Sequence, residues 1–305
     1  MKPMIKYRGG KSREIPSFEK YIPRNYDCYY EPFLGGGAVY FYLEPPKAVI
    51  NDINADVAGF YMDVQKQYDE MRVQLDELQR VYEKNQADYK ELKSKTPELR
   101  VENRNEELYY RMRDMFNSKI SKEYLDSVIY YFINKTAYSG MIRYNSLGEY
   151  NVPYGRYANF NTNIITREHS ELLKNTEILC GDYSVAFEKA TSKDFMFLDP
   201  PYDCVFNDYG NLEFAEGFNE DEHRRLANDF KNLECKALMV IGKTPLTEEL
   251  YGEYIRDEYF KSYAVNIRNR FKSDSKHIVV MNYKEEEYYR YIIWFYWESN
   301  WLFGS

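Results

Sequence analysis

YDCYYEPFLGGGAVYFYLEPPKAVIND, residues 26 to 52, decides the fold class. Residues 26 to 33 (YDCYYEPF) predict a strand, and the apolar run AVYFYL that follows Gly35, Gly36 and Gly37 opens a helix. KAVIND, residues 47 to 52, predicts the next strand. This is the start of a βαβ unit, so the class is α/β with a mostly parallel sheet, and the strand-to-helix turn is where such sheets bind ligands. Gly35 and Gly37 stand where the chain must turn tightly and let a ligand approach its backbone.

The glycines alone do not identify that ligand. The third glycine of a dinucleotide fingerprint would fall at Tyr40, and the GGK ending at Lys11 fails as a phosphate loop because its first glycine would fall at Ile5. Asp52 ends the second strand, at a spacing where an acid accepts hydrogen bonds from ribose hydroxyls. Its other reading is a turn or cap residue ahead of Asn54.

Further along, TEILCGD (176 to 182), DFMFLD (194 to 199), KALMVIG (236 to 242) and HIVVMNY (277 to 283) continue the strand pattern. The unbroken apolar run Phe195 to Leu198 suits a strand buried on both faces. Between the two halves, Val64, Tyr68, Met71, Leu75, Leu78 and Tyr82 step by fours and threes, predicting one amphipathic helix from Val64 to about Leu92. A charged connection (96 to 105) and helices over 106 to 117 and 121 to 134 follow, the latter capped by Ser121. The expected organisation is a catalytic domain from residues 1–62 and 166–290, a helical insertion and target-recognition subdomain over 63–165, and an aromatic tail, 291–305.

Composition bounds the function classes. The tail's Ile292, Ile293, Trp294, Phe295, Tyr296 and Trp297 fall well short of the roughly 18 apolar residues a membrane span needs, so no membrane role is expected. The four cysteines lie far apart without a C-x-x-C pair, which suggests neither zinc nor disulfides and fits a reducing cytoplasm. The net charge of −8 argues at first against a polyanionic partner. Its distribution reverses that: residues 1 to 24 carry seven Lys/Arg against two acids, residues 261 to 276 five against one, and residues 194 to 229 ten acids against two Arg. Basic faces kept apart from the acid can hold DNA.

Asp199-Pro200-Pro201-Tyr202 follows the apolar strand and carries the chemistry. An exocyclic amine on a purine is a poor nucleophile, because its lone pair is delocalised into the ring. The Asp199 carboxylate and the Pro200 carbonyl, each accepting an N–H, would localise that lone pair. The prolines remove backbone donors and stiffen the turn, and Tyr202 offers an aromatic plane for an extruded base.

Taken together these residues resemble the Dam-like, alpha-group family of DNA adenine-N6 methyltransferases over most of residues 4 to 283. KYRGGK (6 to 11) resembles its N-terminal cofactor motif, EPFLGGGAV its glycine motif, NDIN its ribose motif and DPPY its catalytic motif. AYSGMIRYNSLGEYNVPYGRY (137 to 157) resembles its DNA-recognition segment, and CGDY (180 to 183) its adenine-contacting segment. The resemblance implies a Rossmann-like S-adenosylmethionine-dependent domain without a metal. Tyr7 and Lys11 would hold the cofactor's methionine end, Phe33, Gly35 and Gly37 line its pocket, Asp52 bind its ribose and Asp182 its adenine, with Asp199 and Tyr202 serving the target base.

On double-stranded DNA, Arg143 is the candidate for reading a guanine edge and Met141 and Pro153 for touching a thymine methyl. Lys6, Ser139, Asn145, Arg268 and Lys272 complete the expected DNA-binding set. The implied activity is methylation of a flipped adenine at GATC or a related short site, in the cytoplasm of a bacterial or phage-infected cell, where a cognate restriction endonuclease is a possible partner. Tyr7 stands where the family commonly has Trp. Ser139 stands where its best-known members have Asn, which bears on the recognised sequence.

Rival readings fit less of the chain. A nicotinamide oxidoreductase leaves DPPY unexplained. Cytosine-N4 enzymes typically begin that tetrapeptide with Ser and protein-glutamine enzymes with Asn, and a silent DNA-binding module has no need of the intact cofactor set.

Overall fold

The computed structural model describes residues 1–202, 218–262 and 274–284. Seven strands form one sheet: β1 (Tyr29–Glu31), β2 (Ala48–Asp52), β3 (Thr176–Cys180), β4 (Phe195–Leu198), β5 (Lys236–Gly242), β6 (Ile255–Ser262) and β7 (Asp274–Met281). Around it lie α1 (Ile15–Phe18), α2 (Ala38–Leu43), α3 (Ala55–Lys66), α4 (Tyr68–Lys95), α5 (Arg104–Phe116), α6 (Asp126–Thr136), α7 (Arg167–Lys174), α8 (Ser184–Phe187), α9 (Glu220–Lys231) and α10 (Pro245–Tyr251).

The sheet order is β3-β2-β1-β4-β5-β7-β6, with β1 to β5 parallel and β7 antiparallel to both neighbours. Successive strands run outward from β1 toward β3 in one direction and from β4 toward β5 in the other. The order therefore reverses between β1 and β4, and the crevice beyond the carboxyl ends of these two strands is where an open α/β sheet binds its ligand.

Alternation along the strands feeds two cores. Tyr29, Ile50, Phe195, Phe197, Leu238 and Val240 face the layer containing α3 to α6, whereas Tyr30, Val49, Met196, Leu198, Met239 and Ile241 face α9 and α10. All four residues of β4 are buried, as its continuous apolar run predicts. A strand buried on both faces can expose polar chemistry only at its ends, and Asp199 sits at the carboxyl end of this one.

Several boundaries differ from the sequence reading. The first strand is only Tyr29–Glu31, since Pro32 has no N–H for the ladder and the turn begins there. The single helix expected from Val64 is two, α3 and α4, broken at Gln67, whose backbone leaves the helical region. The four-residue step from Val64 to Tyr68 kept the apolar stripe in phase across that break. Ser121 caps nothing: α6 starts at Asp126, with Leu125 as its cap residue and the Leu125 N–H donated to the Gln74 side chain 2.8 Å away. β6 went unpredicted because IRDEYFKS, a charged strand at the sheet's edge, carries no clean alternation. Among the described residues no helix is long and apolar enough to cross a membrane.

Candidate active site

The crevice at the β1/β4 reversal is walled by the glycine turn, the residues after β4, and the turns after β2 and β3. Tyr7, Lys11, Phe33, Gly35, Asp52, Asp182, Asp199, Pro200 and Pro201 all line it, together with Glu31 and Asn51. Residues spread over most of the chain thus converge on one cavity.

Local chemistry builds its floor. Gly35 has φ +49°, and a Cβ there would lie 2.6 Å from Tyr7 Cε1, so the Tyr7 ring packs directly on the bare turn. Gly37 (φ +66°) precedes α2 and approaches Phe41 rather than the cavity; its task is to make the turn, and it does not line the pocket. The Asp52 carboxylate accepts the Gly35 N–H at 2.8 Å and the Asn54 N–H at 2.9 Å. Asp52 thus ties the glycine turn together and also lines the crevice. Asn51 stitches the walls, its amide donating to the carbonyls of Pro32 (3.0 Å) and Gly181 (2.9 Å).

Asp199 is held by Lys11, whose Nζ lies 2.5 Å from Asp199 Oδ1, 2.6 Å from the Tyr202 hydroxyl and 3.1 Å from the Gly9 carbonyl. Lys11 is only 2% exposed. Its ammonium group thus contacts Asp199 and Tyr202 of the tetrapeptide directly, a contact the sequence reading did not assign. Burial pushes the Asp199 carboxyl above the ordinary carboxylate range, and Lys11 pulls it back. Asp182 is gripped from α9 by Arg225 (2.7 Å), which also stacks on Tyr183. Phe33 packs against Tyr183 with ring centroids 5.4 Å apart.

Glu31, which sequence reasoning passed over, is a buried carboxyl at the end of β1. It accepts the Tyr29 hydroxyl at 2.7 Å and the Tyr40 N–H at 3.0 Å. Burial pushes its pKa up to about 8, against those two donors and with the nearby Asp199 adding to the rise. The available signal was position: an acid at the C-terminal end of the first parallel strand.

The segment expected to read DNA projects from α6 as an irregular loop pinned by two isolated antiparallel bridges, Ala137 with Tyr154 and Tyr144 with Tyr150. Arg143 is exposed there, with its Nε donating to the Asn151 side chain at 2.9 Å. Ser139, at φ +54°, and Pro153 are exposed as well. Met141 is half-buried against the core. Asn145 is committed to the turn: its Oδ1 accepts the N–H groups of Leu147 and Glu149, both at 2.9 Å, and its amide donates to Glu149. Lys6 exchanges backbone hydrogen bonds with the Asn134 side chain, placing its ammonium 4.0 Å over the Tyr157 ring. Arg268 and Lys272 lie outside the described residues, as does the tail.

Comparison with known proteins gives the family. The profile of the family described as "D12 class N6 adenine-specific DNA methyltransferase" matches residues 7–267. The type II methyltransferase M.CviBI of Paramecium bursaria Chlorella virus NC1A is 36% identical over 93% of this chain and 100% of its own length. M.MjaIII, a type II methyltransferase of Methanocaldococcus jannaschii, is 31% identical over 93% of this chain and 99% of its own. The DNA adenine methylase of Haemophilus influenzae is 26% identical over 89% and 91% respectively.

Proposed function

The chain belongs to the D12 class of N6-adenine-specific DNA methyltransferases, and we propose that it methylates an adenine flipped out of double-stranded DNA, within a short palindrome containing GA, with GATC the leading candidate. One observation carries the mechanism: Asp199-Pro200-Pro201 lines the same crevice as the glycine turn and Asp52. A target amine and a methyl donor can therefore share one cavity.

The crevice suits S-adenosylmethionine, the donor this family implies. Glu31, Asp52 and Asp199 line it, an acidic set suited to a cationic ligand. Asp52 would hold the ribose and Asp182, oriented by Arg225, the adenine, beside Phe33 and Tyr183. Tyr7 and Lys11 close the methionine end. When bound, the donor supplies a sulfonium-activated methyl group, so the transfer needs no metal to activate it. Asp199 and the Pro200 carbonyl accept the hydrogens of the target amine and localise its lone pair, and Tyr202 stacks on the base.

Residues 63–165 act in this reading as the helical insertion that carries the recognition loop. The relatives' names divide between type II methyltransferases and DNA adenine methylases. The proposal therefore commits to double-stranded DNA as partner and to no endonuclease, and to the cytoplasm of a bacterial or phage-infected cell, where such DNA lies. Incubating the protein with labelled S-adenosylmethionine and DNA, then digesting to nucleosides, should place the label in N6-methyldeoxyadenosine; label on cytosine, RNA or protein instead would overturn the reading.

Two variants probe the parts. Asp52→Ala should weaken S-adenosylmethionine binding by about 1.5 to 3 kcal/mol, the worth of a charge-assisted hydrogen bond. It should also lower the melting temperature, because the Gly35 and Asn54 N–H groups lose their acceptor. Calorimetry that found unchanged affinity in a folded variant would leave Asp52 with the turn alone. Arg143→Ala should cost about 1 to 3 kcal/mol and relax selection at one base pair, whereas a lost phosphate contact would weaken all sequences alike. Sequencing of methylated adenines separates these outcomes, and a parent consensus lacking G immediately 5′ of the modified A would remove the GATC assignment.

A further inference from the structure

Behind Tyr202, three segments distant in sequence meet at one carboxylate. Glu14 follows the helical turn Lys11–Arg13 and is 6% exposed. Its Oε2 lies 2.7 Å from His277 Nδ1 on β7 and accepts the Tyr259 hydroxyl of β6 at 2.8 Å, while its Oε1 lies 2.6 Å from Lys261 Nζ. The His277 ring, 1% exposed, stands edge-on to the Tyr202 ring at 5.0 Å and 83°. The Glu14 N–H in turn binds the Lys11 carbonyl at 2.7 Å, and the Lys11 ammonium bridges Tyr202 and Asp199. A continuous chain of contacts thus runs from Glu14 to both halves of the catalytic tetrapeptide.

We propose that Glu14 and His277 are positioning residues for methyl transfer, holding the Tyr202 ring in the plane on which the target base stacks. The inference rests on the flipped-base reading above. Packing alone does not call for such a pair: two apolar side chains of similar volume would fill the space without the desolvation that a buried carboxylate and imidazole incur. The pair adds direction. The 2.7 Å approach of Glu14 to Nδ1 restricts the ring's rotation, and an edge-to-face partner in turn restricts the orientation of Tyr202. Lys261 and Tyr259 hold Glu14 from β6, so the sheet's antiparallel edge is tied to the chemistry at its centre.

The test uses the full-length protein and three variants, Glu14→Gln, His277→Phe and Tyr259→Phe, with an unmodified duplex for the rates and a second duplex carrying 2-aminopurine at the target adenine for fluorescence. Single-turnover methylation should fall about tenfold or more in Glu14→Gln and His277→Phe, equivalent to about 1.4 kcal/mol of lost transition-state stabilisation. S-adenosylmethionine affinity should stay within about twofold of the parent, as expected when only a transition-state contact is lost. The 2-aminopurine fluorescence of the variant complexes should differ from the parent's, since stacking on Tyr202 quenches the flipped base. Tyr259→Phe removes one hydroxyl from Glu14 and should give a smaller loss in the same direction, which keeps the test open if His277→Phe does not fold. Parent-like rates in the folded variants would overturn the proposal, and so would rate losses matched by equal losses of cofactor affinity. A parent complex without a 2-aminopurine signal would instead remove the flipped-base reading, while the rate comparison would still decide the role of the pair.

Discussion

Asp199→Ala should lose about 100-fold or more in turnover, because in the proposed mechanism it deletes the carboxylate that accepts from the target amine. The structure adds a second consequence. Lys11 is buried and pairs with Asp199 at 2.5 Å, so the variant strands an ammonium group beside the Tyr202 hydroxyl and the Gly9 carbonyl. Breaking a buried pair from one side costs about 3 to 5 kcal/mol of stability, and the orphaned cation would also repel a cationic cofactor. Turnover and cofactor affinity are therefore best separated with Asp199→Asn and with the double variant Asp199→Asn/Lys11→Met. The double variant should recover melting temperature relative to Asp199→Ala while remaining inactive. Near-parental turnover in any folded Asp199 variant would sink the mechanism.

The difference between what the sequence discloses and what it conceals follows the range of the interactions. Strand, glycine turn, helix and strand are local, so the βαβ opening was legible, and AVYFYL and KALMVIG fell within their observed bounds. The position of Asp199 was legible because a doubly buried strand can present polar chemistry only where it ends. Lys11 on Asp199, Arg225 on Asp182 and Glu14 on His277 were not legible. Each joins side chains brought together by the sheet order, and nothing in the spacing of either partner signals the other. Asn145 shows the converse, a local turn signal that the sequence reading left unused. N-S-L-G is a turn signal in its own right, with Asn able to cap the backbone and Gly148 at φ +75° closing the turn. Glu31 was missed because the glycines beside it drew the reading.

Glu31 carries a stability effect of comparable size, and one that depends on pH. Its pKa rises from the usual 4.5 to about 8 in the folded protein. Between those values the native state keeps a proton that the unfolded chain has released, so stability is greatest below pH 4.5 as far as this group is concerned and declines as pH rises toward 8. At about 1.4 kcal/mol per pH unit, the decline across the window is on the order of 5 kcal/mol. Glu31→Gln removes the titration while its amide oxygen can still accept from the Tyr29 hydroxyl and the Tyr40 N–H. Urea unfolding of the cofactor-free protein should then show the variant gaining on the parent as pH increases from 5 to 8, with the difference flattening above 8. A bound cation in the same crevice would favour the ionised form, so S-adenosylmethionine should shrink that difference and its uptake near pH 7 should release protons in the parent but fewer in Glu31→Gln. Calorimetry in buffers of different ionisation enthalpy counts those protons. Parallel stability profiles for parent and variant would mean that Glu31 ionises at its ordinary pKa despite its burial, and that the crevice already contains enough positive potential from Lys11 to hold two carboxylates charged.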